Sequence, residues 1–249
     1  MQNLQVPRPV LFVTPYSLKR PPTMNISVSD EFNAVCPAFL GAAITAKVVN
    51  GPTPEALAAE IERCEDELQA AYTTETLKKH KNIEATRRAY RAAGKDPSRY
   101  RPACEQLIRR TLQGKRVHNV SVLVDVMNLV SMKSGYSTAA IDADRLSGES
   151  ITLGLGRAGE DYEGIGRGKL NIENLPVYRD GQGAFASPTS DSTRTMVTPE
   201  TRRLLVIINA FDGDREELEK AVDFTTNLLR KYAHLQCEEV VTYSHSHPH

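Results

Sequence analysis

The sequence contains no tryptophan, and aromatic residues make up only 6% of its 249 positions. That scarcity argues against a broad platform on which the bases of a single-stranded nucleic acid would stack. Cysteine is also sparse: Cys36, Cys64, Cys104 and Cys237 lie far apart, and no two form a CxxC pair. A disulfide framework and a zinc knuckle are both disfavoured, and a reducing cytoplasm is the expected setting. No run of about 18 apolar residues occurs, so no membrane span is expected. The opening "MQNLQVPRPV" lacks a basic stretch followed by an apolar one and does not read as a secretory signal. No G-x-S-x-G, H-E-x-x-H or Walker sequence is present, which leaves hydrolases of the triad or metal type without support. Neither a metal ligand set nor a cofactor fingerprint is evident, so no metal and no cofactor is expected.

An overall excess of charge is absent too, since the formal net charge is zero. Along the chain the balance is uneven. Ten basic residues (Arg87, Arg88, Arg91, Lys95, Arg99, Arg101, Arg109, Arg110, Lys115 and Arg116) face only Asp96 and Glu105, a local excess of +8. The helix before them is acidic, with Glu55, Glu60, Glu62, Glu65, Asp66 and Glu67 against Arg63. Two readings stand. These are solvated helix faces salt-bridged to acidic neighbours, or they place a positive field on one face.

Residues 1–23 are Pro-rich ("VPRP", "TPYSLKRPP") and read as an extended arm. "MNISVS" alternates and predicts a strand, and "AFLGAAITAKVV" (38–49) predicts a second with Gly41 as a bulge. In "NGPTP", Thr53 is expected to cap a helix that Pro54 begins. Leu57, Ile61, Cys64 and Leu68 then make one apolar helix face. A second helix is expected from about Thr74 to Ala93. A third starts at Pro102, with Cys104, Leu107, Ile108 and Leu112 inward, and a fourth runs from about Val120 to a stop at Gly135. The second half changes character. "SITLGL", "LPVYRD", "GAFAS" and "RRLLVIINAF" read as short strands. "DGDREELEKAVDFTTNLLRKYA" is an amphipathic helix that Asp212 or Asp214 would cap, and "EEVVTY" is a last strand. The order predicts an α+β fold of mixed sheet layers covered by helices, in a single domain over 24–243 with a mobile tail at 244–249.

"GLGRAG" (154–159) fits G-x-G-x-x-G, but the succeeding "EDYEGIGRGKL" has no helical period, so the glycines are expected to form a loop rather than a dinucleotide turn. His245, His247 and His249 alternate at the terminus with no nearby carboxylate or cysteine, and read as tail rather than zinc site. In "DVMNLVSMKSGYSTAAID" (125–142), Asp125 and Asn128 lie three residues apart on one side of a helix. Such an Asn either satisfies loop backbone or orients a small polar ligand.

As an ordered set these residues resemble the B3/B4 domain of the phenylalanyl-tRNA synthetase beta subunit family. The resemblance runs through Asp125, Asn128, Gly135, Asp142 and Arg145–Leu146. It continues through Gly159–Glu160, "VYRD" ending at Asp180, "VTPETR" (197–202) and "INAFD" ending at Asp212. Upstream, "YRAAGKDPSRYRPACEQLIRR" (90–110) looks like a freestanding form of the domain, and residues 90–212 carry the best match, about half the chain. In the synthetase this domain forms a pocket that hydrolyses tyrosine wrongly attached to its tRNA. The resemblance therefore implies a mixed α/β fold, a tRNA or aminoacyl-tRNA partner, and a pocket for the aminoacyl end. Phosphates would lie on Arg87, Arg88, Arg91, Arg99, Arg101, Arg109, Arg110, Lys115 and Arg116.

The chain departs from the family pattern at two places. Ala139 stands where the family has a histidine three residues before the closing acid, and "SPTSDSTRT" replaces a loop with a pocket glutamate. Hydrolysis would then rest on a hydroxyl of the tRNA and on protein dipoles. The implied pocket residues are Asn128, Ala139, Asp142, Ser192, Arg194 and Thr195, with Glu160 or Asp191 orienting water. Three functions remain open: a tRNA-binding protein that deacylates mischarged tRNA in trans, a non-catalytic binder of a free amino acid or related metabolite, and a structural adaptor.

Overall fold

The computed structural model describes residues 24–245. The Pro-rich arm, His247 and His249 lie outside the described residues. Two four-stranded sheets form the framework. The inner sheet is antiparallel and contains β2 (Leu40–Lys47), β3 (Ser137–Asp142), β9 (Arg203–Ala210) and β10 (Gln236–Tyr243), in the order β10-β2-β9-β3. The outer sheet contains β1 (Asn25–Val28), β4 (Ser150–Leu155), β7 (Pro176–Asp180) and β8 (Gly183–Ala186), in that order, with β1 parallel to β4. A small hairpin of β5 (Glu163–Gly164) and β6 (Gly168–Lys169) completes the strands. Among the described residues six α-helices accompany them: α1 (Asp30–Val35), α2 (Glu55–Ala71), α3 (Lys81–Ala92), α4 (Ala103–Leu112), α5 (Val122–Ser134) and α6 (Arg215–Tyr232).

The inner sheet is covered on both faces, which explains why β9 reads as the unbroken apolar run "RLLVIINA". Strand pleating sends Leu204, Val206 and Ile208 to one side, where they join Leu57, Ile61 and Leu129 of α2 and α5. Leu205 and Ile207 go to the other side and meet Ile151, Leu153 and Phe185 of the outer sheet. The molecule is thus layered helices, sheet, sheet, which is the expected mixed α+β architecture.

Local departures from the sequence reading have visible causes. Thr53 does not cap α2; its hydroxyl donates to Asp125, and Pro54 holds the N-cap position without a side-chain bond. The helix expected from Thr74 begins only at Lys81, because Thr73 and Thr76 hydroxyls accept each other's backbone N–H and close a turn instead. Helix α1, not anticipated, starts at Ser29, whose hydroxyl accepts from the Phe32 N–H. Asp214 caps α6 by accepting from the Glu217 N–H, as foreseen. Gly135 ends α5 at φ 70°, and a methyl group there would collide with the His80 imidazole. "GLGRAG" leaves β4 for a turn, not a helix. Gly156 serves close approach, since an added Cβ would overlap the Ile172 carbonyl.

Candidate functional site

Three periodicities converge on one cavity of about 470 Å³. Helix α5 presents Val124, Met127, Asn128 and Ser131, and α4 presents Ala103, Gln106, Leu107 and Arg110. Both sets follow the i, i+3, i+4, i+7 spacing of a single helix face. Edge strand β3 adds Thr138 and Ala140, alternate residues on its helix side. The Ser131 and Thr138 hydroxyls lie 2.9 Å apart and tie α5 to β3 at the floor. Loops close the remaining side with Thr189, Ser190 and Asp191, with Ile165 and Arg167 from the β5–β6 hairpin, and with Met196 and Val197.

The polar groups are held in place. Asp125 is fully buried; it accepts from Thr53, from the Val120 N–H at 3.0 Å and from Asn128 Nδ2 at 3.4 Å. Burial nonetheless raises its carboxyl above the usual range, against those three bonds. Asn128 is thereby aimed, and its own carbonyl oxygen has no partner among the described residues. The Thr189–Asp191 loop is anchored by Tyr90, whose hydroxyl lies 2.8 Å from that of Thr189, and by Tyr162, which donates to the Ser190 carbonyl at 2.6 Å. The Asp191 backbone carbonyl accepts from the Ile165 N–H at 2.9 Å, joining this loop to the hairpin. Burial pushes the Asp191 carboxyl up to about 8, with the Ser187 and Ala140 backbone N–H groups acting the other way. At neutral pH the cavity therefore holds two guanidinium groups against an acid that is mostly protonated.

The mouth is apolar. Among the described residues, five large hydrophobic side chains stand exposed, and three of them line this cavity: Val120 at 67%, Ile165 at 43% and Met196 at 38%. Apolar groups ringing a cavity with a few convergent polar groups is the composition of a small-ligand site, and the volume falls within the usual range of about 300–1,000 Å³.

Of the residues singled out in the sequence, Asn128, Asp191 and Arg110 meet in this cavity. The others are engaged elsewhere. Ala139 is on the opposite face of β3, packed among the residues between the two sheets, because the pleat that sends Thr138 and Ala140 inward turns it away. Asp142 accepts from Thr201 Oγ1 at 2.8 Å and from the Asp144 N–H at 3.1 Å, and lies 3.7 Å from Arg145. Ser192 caps the short turn at Thr193, accepting from the Arg194 N–H at 3.2 Å. Arg194 makes a two-point pair with Asp180 at 2.9 and 3.0 Å. Thr195 is fully buried and donates to the Phe185 carbonyl at 3.4 Å. Glu160 is paired with Arg179.

The basic stretch does not form one continuous surface. Arg87 is held 2.9 Å from buried Glu105, Arg116 pairs with Glu65 and Asp66, and Arg109 donates to the Thr74 carbonyl. Lys95 is buried beneath Tyr100. Arg88, Arg91, Arg99, Arg110 and Lys115 are exposed. The salt-bridged reading thus holds for part of the stretch. Sequence reasoning missed Arg167, although its setting in "GIGRG", a tight glycine hairpin, was a usable signal.

The profile of the B3/4 domain matches residues 85–234. The chain belongs to the B3/4 domain family. Every residue lining the cavity falls inside the matched segment. Among curated proteins the chain is similar to the phenylalanine–tRNA ligase beta subunit of Neisseria meningitidis, with 32% identity over 100 residues. That match covers 36% of this chain and 13% of the relative, so the B3/4 protein shares only a small part of that subunit's length. A solved structure, an N-terminal fragment of the phenylalanyl-tRNA synthetase beta subunit from Pyrococcus horikoshii, shows 11% identity and a TM-score of 0.45. It covers 87% of this chain and 50% of its own. Among the described residues no helix is long and apolar enough to cross a membrane, and no cluster of three metal-ligating side chains occurs.

Proposed function

We propose that this B3/4 protein binds aminoacyl-tRNA, seating the aminoacyl end in the α4–α5 cavity, and deacylates mischarged tRNA. The observation that carries the reading is the cavity's composition. Its apolar mouth of Val120, Ile165 and Met196 suits a side chain or ribose face, while Arg110 and Arg167 suit the adjoining phosphate. Asn128 is pre-aimed for the ester carbonyl or the amino group. In the hydrolytic step water attacks the ester carbonyl and ionised Asp191 takes its proton; the bond from that carbonyl to the ribose oxygen then breaks, and the proton passes to the ribose oxygen, releasing the free amino acid and the tRNA with its hydroxyl restored. Because Asp191 ionises only near pH 8, this step would quicken as the pH rises through that value. The test is hydrolysis of a panel of misacylated tRNAs, with release of radiolabelled amino acid as the readout. Release no faster than in buffer for every member of the panel, together with no salt-dependent tRNA binding, would end the proposal.

A second reading is favoured by one observation. Glu160 and Asp142 are committed to structural bonds away from the cavity, and Asp191 is the one carboxylate lining it among the described residues. A cavity with a single acid suits binding as well as catalysis. In that case a free amino acid would place its carboxylate on Arg110 or Arg167. Calorimetric titration with free amino acids, set beside tRNA titration, separates the two readings.

A further inference from the structure

On the other flank of α4 lies a second depression of about 300 Å³. Lys78, from the turn before α3, lines it together with Arg87 of α3, Arg101 just ahead of α4, and Arg109. Glu105 forms its floor and Glu75 its edge, so four cations stand against two carboxylates. Glu105 is 1% exposed, and it holds Arg87 at 2.9 Å and Arg101 at 3.9 Å. The Arg87 guanidinium is further fixed by the Pro97 carbonyl at 3.2 Å and by Ser98 Oγ at 3.1 Å. Arg109 is tethered at one end only, to the Thr74 carbonyl, and Lys78 has no ion pair among the described residues. One buried carboxylate needs one guanidinium. Here two arginines converge on it, and a third arginine and a lysine are added beside them.

Pre-positioned guanidinium groups with spare N–H donors match an oxyanion that offers several acceptor oxygens. Helix geometry links this depression to the cavity. Arg101, Glu105 and Arg109 recur every four residues on one flank, and Ala103, Leu107 and Arg110 lie on the other. Arg109 and Arg110 are neighbours about 100° apart around the helix, so each serves a different depression. Half-buried Gln106, at the edge of the cavity face, borders the ridge between the two flanks, and exposed Gln113 caps the end of the helix.

We propose that the second depression is a phosphate-binding pocket that takes a backbone phosphate of the same nucleic acid whose aminoacyl end enters the cavity, the strand crossing the α4 ridge between them. The identity of this ligand rests on the function proposed above. Lys78→Ala with Arg101→Ala tests it, since Arg87 still neutralises Glu105 in that variant. An unchanged melting temperature verifies the fold. Titration with inorganic phosphate, followed by amide NMR, is expected to shift signals around Lys78, Arg101 and Arg109 in the native protein and not in the variant. In tRNA titrations across salt concentrations, the variant is expected to bind several-fold more weakly, with a salt slope lower by about 1–2. Phosphate shifts that are absent or scattered over the surface would overturn the pocket. An unaltered affinity and slope for tRNA would overturn the shared-strand assignment. Localised phosphate binding in a protein that binds no tRNA supports the pocket and removes the proposed function instead.

Discussion

Glu160 grips Arg179 with both carboxylate oxygens, at 2.9 Å to Nε and 2.5 Å to Nη2. Arg179 also donates to the Leu155 carbonyl at 2.8 Å, and Glu160 accepts from the Arg157 N–H at 2.9 Å. The pair locks β7 to the turn after β4, so Glu160 serves the framework. Glu160→Ala is expected to cost about 1–3 kcal/mol of stability while leaving ligand affinity in the cavity unchanged. Burial alone would raise the Glu160 carboxyl, but the bonds from Arg179 and Arg157 outweigh it and hold the group below its usual range. The folded value is therefore depressed, and its contribution is full above the ordinary glutamate range and fades as pH falls through the folded value. Urea unfolding of both proteins across acidic pH should show the gap closing. A gap that persists undiminished at the acid end contradicts this assignment.

Asp191 titrates in the opposite sense. Its folded value is raised from 3.8 to about 8, so the native chain binds more protons than the unfolded one across that window, and stability falls as pH rises through it. Asp191→Asn keeps the acceptor for the two backbone N–H groups and removes the titration. The variant should nearly match the native protein near pH 4 and exceed it at pH 9, by an amount on the order of 5 kcal/mol. Thermal melts at intervals between those limits provide the measurement, and a difference that does not grow with pH would refute the raised value.

Asp125 satisfies three donors at once, so removing it should strand all of them. Asp125→Ala is expected to destabilise the fold by about 3 kcal/mol, whereas Thr53→Val, which deletes a single hydroxyl partner, should cost about 1 kcal/mol. Asn128→Ala should leave stability within ~1 kcal/mol, because Asn128 contributes one long bond to the network. Its effect should appear in the cavity as weaker ligand binding by about tenfold, the worth of one well-placed hydrogen bond. Equal losses of stability in the Asn128 and Asp125 variants would show that Asn128 is a structural residue only.

The exposed rim offers a separate handle. Val120→Ser and Met196→Ser remove apolar surface that water already reaches, so stability should stay within about 0.5 kcal/mol. If an apolar part of the ligand covers these side chains, each change should weaken its binding several-fold, read by calorimetry with the free amino acid or by tRNA titration. Unaffected affinity in the double variant would mean that the rim is bare in the complex as well.

Much of the architecture was legible because it rests on period and punctuation. The apolar run of β9, the face of α2 and the Gly135 stop each leave a local trace in the sequence. Within the site, Asn128 and Asp191 were reachable, yet Ser192, Arg194 and Thr195, one to four residues beyond Asp191, fold into a capped turn that no spacing discloses. Ala139 illustrates a sharper difficulty. The cavity face of a strand is decided by parity, and a one-residue shift exchanges Ala139 for Ala140. The division of the basic stretch between two flanks of α4 was present as a four-residue recurrence. Its meaning depended on buried Glu105, which the sequence presents only as a lone acid among cations.

The position of β2 ties the start of the chain to the middle of the inner sheet. This strand lies between β9 and β10 and is buried along nearly its whole length, but it precedes the segment that matches the family profile, and β10 follows that segment. Trimming the gene to residues 85–234 would delete two neighbouring strands of the inner sheet and leave the flank of β9 unpaired, a ready template for aggregation. A chain cut to those bounds is expected to aggregate on expression, whereas one that keeps both flanking strands is expected to remain in solution.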